Sequence, residues 1–161
     1  MSINELASSH PENLTLDQQV CFALAVATRN VISLYRPLLE PLGLTHPQYL
    51  VMVAMWQQEP MSVTEISRVL QLEPPSVSPV LKRLQSAGWI KRQRDALDER
   101  TVRLTLTEEG RALKQQVSSI PAAIADRLAM SPDEVATLHA TLTGLIERTH
   151  AAQGQDHPAT N

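Results

Sequence analysis

Residues 62–107, SVTEISRVLQLEPPSVSPVLKRLQSAGWIKRQRDALDERTVRLTLT, decide the fold. Ser62-Val63-Thr64-Glu65 is a capping box, in which the serine hydroxyl accepts an early amide and the glutamate reaches back to the serine N–H. It predicts a short helix to about Leu70. After a three-residue turn, Pro74 and Pro75 open a second helix. Proline is tolerated only near a helix start, so Pro79 lies within its first two turns. Val77, Val80, Leu81 and Leu84 give this helix its inward face, and Gly88 stops it. The period then changes from 3.6 to 2. Trp89 to Arg94 reads as one strand. In another, Val102, Leu104 and Leu106 alternate with Thr101, Arg103 and Thr105, and Asp95 to Glu99 form a charged hairpin loop between the two. Helix, tight turn, helix and β-hairpin make a winged helix-turn-helix.

Outward from this unit the pattern is helical. Thr15-Leu16-Asp17-Gln18 fits a capping box, followed by a stripe at Leu16, Val20, Leu24, Ala27, Val31, Tyr35, Leu38 and Leu42. Pro37 and Pro41 weaken that helix and Gly43 ends it. Thr45-His46-Pro47-Gln48 opens a shorter helix through Tyr49, Val53 and Trp56. On the other side, Thr107 caps a helix through Arg127 with a bend at Pro121. Ser131-Pro132-Asp133-Glu134 then starts a last helix, through Val135, Leu138, Leu142 and Leu145 to about His150. The expected class is mainly α with a small β-hairpin: a winged helix-turn-helix at 45–106, flanked by N- and C-terminal dimerisation helices at 15–44 and 107–150. Flexible segments are expected at 1–14 and 151–161. The two terminal stripes exceed what a small winged domain can cover, so a second copy is expected to cover them.

Composition excludes several classes. The 161 residues suit one domain with helical extensions, and 43% hydrophobic content can build a core. Only five aromatics, Phe22, Tyr35, Tyr49, Trp56 and Trp89, argue against an all-β sandwich or a carbohydrate-binding face. The longest apolar run, Tyr49 to Trp56, is too short to cross a bilayer, so no membrane partner is expected. MSINELASSHPEN has neither a basic start nor an apolar stretch, which points away from secretion and to the cytoplasm. A single cysteine, Cys21, forbids an intrachain disulfide or a cysteine-rich zinc site. The histidines at 10, 46, 139, 150 and 157 are scattered, without metal-ligand spacing, and no cofactor is expected.

The net charge of −3 does not announce a nucleic-acid partner, but its distribution does. Between Lys82 and Arg103 stand Lys82, Arg83, Lys91, Arg92, Arg94, Arg100 and Arg103 against Asp95, Asp98 and Glu99, giving +4 there and leaving −7 for the rest. Taken alone, a basic segment is a solvated face; on a helix-turn-helix it is a footprint for phosphates. The second helix of such a unit enters the major groove of double-stranded DNA with its N-terminal residues leading. Those are Pro75, Ser76 and Ser78, with Lys82 and Arg83 further along. From the hairpin, Arg94 adds charge and Arg100 can enter the minor groove, where negative potential is enhanced. Asp98 is placed to hold that guanidinium in a fork, or else the two form an exposed ion pair of little worth.

LKRLQSAGWIKR followed by DERTVRLTLTEEG resembles the MarR family of winged-helix repressors. That family's wing has an Asp, an Arg two residues on, and a later Leu-Thr before Gly, matched by Asp98, Arg100, Leu106, Thr107 and Gly110. LDQQVCFALAVATRNVISLYRPLLEPLGLTHPQYLVMVAMW, residues 16–56, is similar to its organic-hydroperoxide-sensing, single-cysteine branch, whose members carry LxxQLCF, YKPLL and TYPQYL. The resemblance implies a repressor that binds pseudo-palindromic operator DNA as a homodimer with interlocking terminal helices. Cys21 would be its redox sensor and organic hydroperoxides its inducers. It also implies partner-chain hydroxyls near the thiol, with Tyr35 matching. His46 stands where the family has tyrosine, and Ala25 where a further tyrosine often lies.

Residue chemistry sharpens these expectations. An ordinary thiol is only a few per cent ionised at neutral pH, so a sensor needs activation. Local sequence does not supply it. Cys21 is expected a turn and a half into its helix, with Asp17 four residues earlier on the same face. Tyr35 lies fourteen residues further along, about 21 Å in a helix. A Tyr35 that meets Cys21 therefore belongs to the partner, and an imidazolium at His46 would add a charged hydrogen bond to the thiolate. With no second cysteine in the chain, the sulfenic acid would mature by reacting with a low-molecular-weight thiol. One rival, a thiol peroxidase, lacks the Pro-x-x-x-Thr-x-x-Cys arrangement, since LTLDQQV precedes Cys21. The other is a repressor relieved by a small aromatic ligand, with Cys21 merely structural.

Overall fold

The computed structural model describes residues 15–95, 97, 98 and 100–155. They fall into two compact units that meet in sequence at Gly110 and Arg111. The first holds α1 (Val20–Leu39), α2 (His46–Gln57), α3 (Val63–Leu70), α4 (Pro74–Ser86), β1 (Ile90–Arg94) and β2 (Val102–Leu106). α5 (Glu108–Val117) starts at the boundary, and α6 (Ile120–Arg127) and α7 (Pro132–Gln155) follow.

Three of the four expected capping boxes form. Thr45 with Gln48 and Ser62 with Glu65 exchange hydroxyl and side-chain contacts with each other's amides, as do Ser131 and Glu134. Thr15 does not cap. Residues Leu16–Gln18 instead make a 3₁₀ turn, and α1 begins at Val20 after an extended Gln19. Cys21 is therefore in the first turn of its helix, and residue 17 lies in the 3₁₀ turn before that helix. The helix expected from Thr107 to Arg127 is two helices, because Pro121 starts α6 rather than bending a continuous rod. α7 continues to Gln155, so the tail expected from 151 is helical for its first five residues; 156–161 and 1–14 lie outside the described residues.

α2 is apolar on nearly every side, as a helix surrounded by protein must be. Tyr49, Val51, Met52, Ala54 and Met55 are buried, and Leu39, Leu44, Ile66, Val77, Leu81, Leu84, Ile90, Leu104 and Leu106 complete the core of this unit. The hairpin pairs Ile90 with Leu106 and Arg94 with Val102 in antiparallel register. Met61 adds a third short rung, exchanging backbone hydrogen bonds with Leu104 at 3.0 and 2.7 Å. Val102, expected inward, is 39% exposed because the hairpin has left the core at that point.

The terminal helices keep much apolar surface uncovered. On α1 and the turn before it, Leu16 and Val20 are 68% and 62% exposed, and Phe22 and Ile32 are also exposed. On α7 the same holds for Val135, Leu138, Leu142 and Ile146.

Candidate nucleic-acid interface

α3, the turn 71–73 and α4 form the expected helix-turn-helix. α3 ends because Gln71 takes a left-handed conformation, φ 54°, in which its amide reaches Arg68 and the Leu72 amide reaches Ser67. These are the two bonds of a Schellman cap. Glu73 precedes α4, Pro74 and Pro75 occupy its first turn, and Pro79 follows within the second. At the far end Gly88, φ 81°, makes the same kind of cap with Gln85 and Leu84 and turns the chain into β1. A residue with a side chain rarely adopts that φ, which is why glycine stands between recognition helix and wing.

Every expected contact residue is exposed: Ser76, Ser78, Lys82 and Arg83 on α4, Arg94 at the end of β1, and Asp98 and Arg100 in the hairpin loop. Ser78 spends its proton on the Pro74 carbonyl at 3.0 Å, which leaves its hydroxyl oxygen available only as an acceptor. Asp98 does not hold the Arg100 guanidinium in a fork. Its carboxylate accepts the Arg100 amide at 3.0 Å and the Thr101 hydroxyl at 2.9 Å, shaping the loop backbone instead. Among the described residues no ion pair engages the Arg100 side chain.

Arg103 behaves differently. Its Nη1 meets Glu65 at 2.6 Å and its Nε meets Asp95 at 3.1 Å, so this cation is committed inside the protein. The Ser62 amide first, and then Arg103, hold Glu65 below the usual carboxylate range. Asp95 is likewise depressed, by the Leu97 amide and then by Arg103. Both carboxylates raise Arg103 in turn, Asp95 most. In the sequence Arg103 is one base of the window 82–103 and Glu65 a capping residue. The missed signal was charge on facing positions of elements far apart in sequence. Arg92 donates to Gln85 at 3.1 Å, joining wing to recognition helix.

The wing is also locked at its base. Thr107 donates to the Gly88 and Trp89 carbonyls and accepts the Gly110 amide, while the Gly110 carbonyl accepts the Trp56 indole N–H at 2.8 Å.

The profile described as "Transcriptional regulator SarA/Rot" matches residues 33–117. The chain is 34% identical to the organic hydroperoxide resistance transcriptional regulator of Bacillus subtilis, covering 86% of this chain and 95% of that one. It is 38% identical to the HTH-type transcriptional regulator TtmR of Methylorubrum extorquens, over 91% and 76% respectively. The chain belongs to the MarR-like family of winged-helix transcriptional regulators. A solved structure in the family, reduced AbfR bound to DNA, superposes with a TM-score of 0.69 at 30% identity, over 86% of this chain and 96% of that one. As in the MarR resemblance, Asp98, Arg100, Leu106, Thr107 and Gly110 stand on the wing and the helix it feeds.

The residues expected around the sensing thiol fall into two places. Cys21 is exposed on α1. Tyr35, on the same helix, stacks edge-on against His46 with ring centroids 4.9 Å apart, and Tyr49 lies 5.9 Å from Tyr35. Burial lowers the pKa of His46 below its ordinary 6.5 and raises that of Tyr35. The imidazolium expected from sequence is thereby disfavoured. A cavity of about 580 Å³ opens between α1 and α2, with Arg29, Ile32, Arg36 and His46 in its wall. Among the described residues no helix is long and apolar enough to cross a membrane.

Proposed function

We propose that the protein is a redox-sensing repressor that binds pseudo-palindromic operator DNA as a homodimer and releases it when an organic hydroperoxide oxidises Cys21. The observation that carries this reading is the placement of Cys21 and Tyr35 on one helix, as its second and sixteenth residues, with Cys21 outside the core. A buried structural cysteine would not be exposed, and a Cys21 served by Tyr35 and His46 needs those residues from a second copy. Uncovered apolar residues on α1, and separately on α7, are what such a copy would cover.

The chemistry balances with one cysteine. The thiolate attacks the distal peroxide oxygen, the O–O bond breaks, and the alcohol leaves after taking a proton. The resulting sulfenic acid condenses with a low-molecular-weight thiol to a mixed disulfide and water. Added bulk beside Tyr35 and His46 of the partner would displace the winged units. The relatives' names support the regulatory class.

The test is a band-shift with the duplex just upstream of the protein's own gene. Organic hydroperoxide should release parent protein and leave Cys21→Ser bound; equal release of both removes Cys21 from the switch. A second reading, a small aromatic ligand as inducer, draws on the α1–α2 cavity with Arg29 and Arg36 in its wall. In that case aromatic carboxylates release parent and Cys21→Ser alike.

A further inference from the structure

A single oxygen of Glu65 serves two masters. Its Oε2 accepts the Ser62 amide at 2.6 Å, which caps α3, and also the Arg103 Nη1 at 2.6 Å, which belongs to the wing. From Arg103 the path continues through Nε to Asp95 at 3.1 Å. Asp95 accepts the Leu97 amide at 2.9 Å, and its own amide donates to the Thr101 carbonyl at 2.9 Å. Thr101 and the Arg100 amide are both held by Asp98. An unbroken chain of hydrogen bonds thus runs from the start of the helix-turn-helix to the backbone of the residue at the wing tip.

We propose that Glu65 is a positioning residue for DNA reading, one that fixes the wing and Arg100 relative to the helix-turn-helix. The proposal rests on the reading of the wing as a DNA contact. Glu65 and Arg103 are each about one-third exposed, so water screens the pair without dissolving its two-sided geometry. The sign of the effect sets this role apart. Glu65 is an anion on a surface meant for phosphates, so simple electrostatics says that removing its charge strengthens binding. Positioning says the opposite.

Glu65→Gln separates cap from wing, because glutamine also completes a capping box but offers Arg103 no charge. Full-length parent, Glu65→Gln, Arg100→Ala and the double variant are titrated with the duplex upstream of the protein's own gene. In parallel, trypsin cleavage after Arg100 is timed without DNA, alongside thermal melting. We expect Glu65→Gln to bind about fivefold more weakly, and the double variant to bind no more weakly than Arg100→Ala, the non-additivity of a shared path. Cleavage at Arg100 should be several-fold faster in Glu65→Gln, a larger change than its small fall in melting temperature accounts for. Equal or tighter binding by Glu65→Gln, or equal cleavage, overturns the proposal. If Arg100→Ala binds like the parent, the wing contact itself is wrong, and the cleavage rates still decide whether Glu65 holds the wing.

Discussion

Gly110→Ala isolates the lock at the base of the wing. By helix propensity alone the substitution in α5 is favourable by about 1 kcal/mol. The surroundings reverse that sign. A Cβ at residue 110 would collide with the Trp89 carbonyl oxygen, a backbone atom that cannot rotate away. That oxygen accepts the Thr107 amide at 3.1 Å, and the Gly110 carbonyl accepts the Trp56 indole N–H at 2.8 Å. Relieving the overlap requires the strand end or the helix to shift and weakens both bonds, each worth about 1 kcal/mol. Added to overpacking strain of about 1–3 kcal/mol, and set against the propensity gain, the net loss is about 2–4 kcal/mol. Urea unfolding at one fixed protein concentration should show a lower midpoint with unchanged slope, and melting should fall by roughly 5–10 °C. A neutral or stabilised Gly110→Ala would mean that the wing base tolerates displacement, and the account of Gly110 as a lock would be abandoned.

Two other outcomes follow from the charges. On the proposed reading of a dimer with two DNA-contacting wings, Arg100→Ala removes two cations from the interface and the slope of log K against log salt becomes shallower by about 1.8. Titrations at 50 and 200 mM salt should show it, and a slope like the parent's would take Arg100 off the DNA. Acid should destabilise the fold below the ordinary glutamate pKa of 4.5, because Glu65 and Glu134 titrate lower when folded. Groups with depressed folded values stabilise above their unfolded pKa and lose that contribution as pH falls through the folded one. Melting temperatures between pH 3 and 7 should drop on the acid side, less steeply in Glu134→Gln, which keeps the cap; superimposable curves would contradict it.

The helix-turn-helix was legible because its signals are local. Ser62 with Glu65, Pro74 with Pro75, and Gly88 each fix a boundary within one turn of chain, and the change of period after Gly88 needs no tertiary information. The start of α1 was not legible. Thr15 and Gln18 have the right identities for a box, but the chain there forms a 3₁₀ turn with Gln19 extended, and no hydroxyl contact offsets it. This misplacement put Cys21 deeper in its helix than it is. Arg103 was misread for a different reason. Its partners lie 38 and 8 residues away, and only the folded register brings them to one guanidinium. His46 shows the same limit: its identity was visible, its half-buried place beside Tyr35 was not, and burial decides its charge.

α2 joins these two halves. His46 is its first residue, next to Tyr35, and Trp56 is its eleventh, bonded to Gly110 at the base of the wing. Between them the helix is buried over most of its surface, with Met52 and Met55 fully enclosed. A packed helix of twelve residues is a rod of about 18 Å, and close-packed interiors transmit displacement rather than absorb it. The ring cluster of Tyr35, His46 and Tyr49 and the hydrogen-bonded base of the wing are therefore the two ends of one packed element. Cavity-forming substitutions at Met52 or Met55 would soften that element without touching either end.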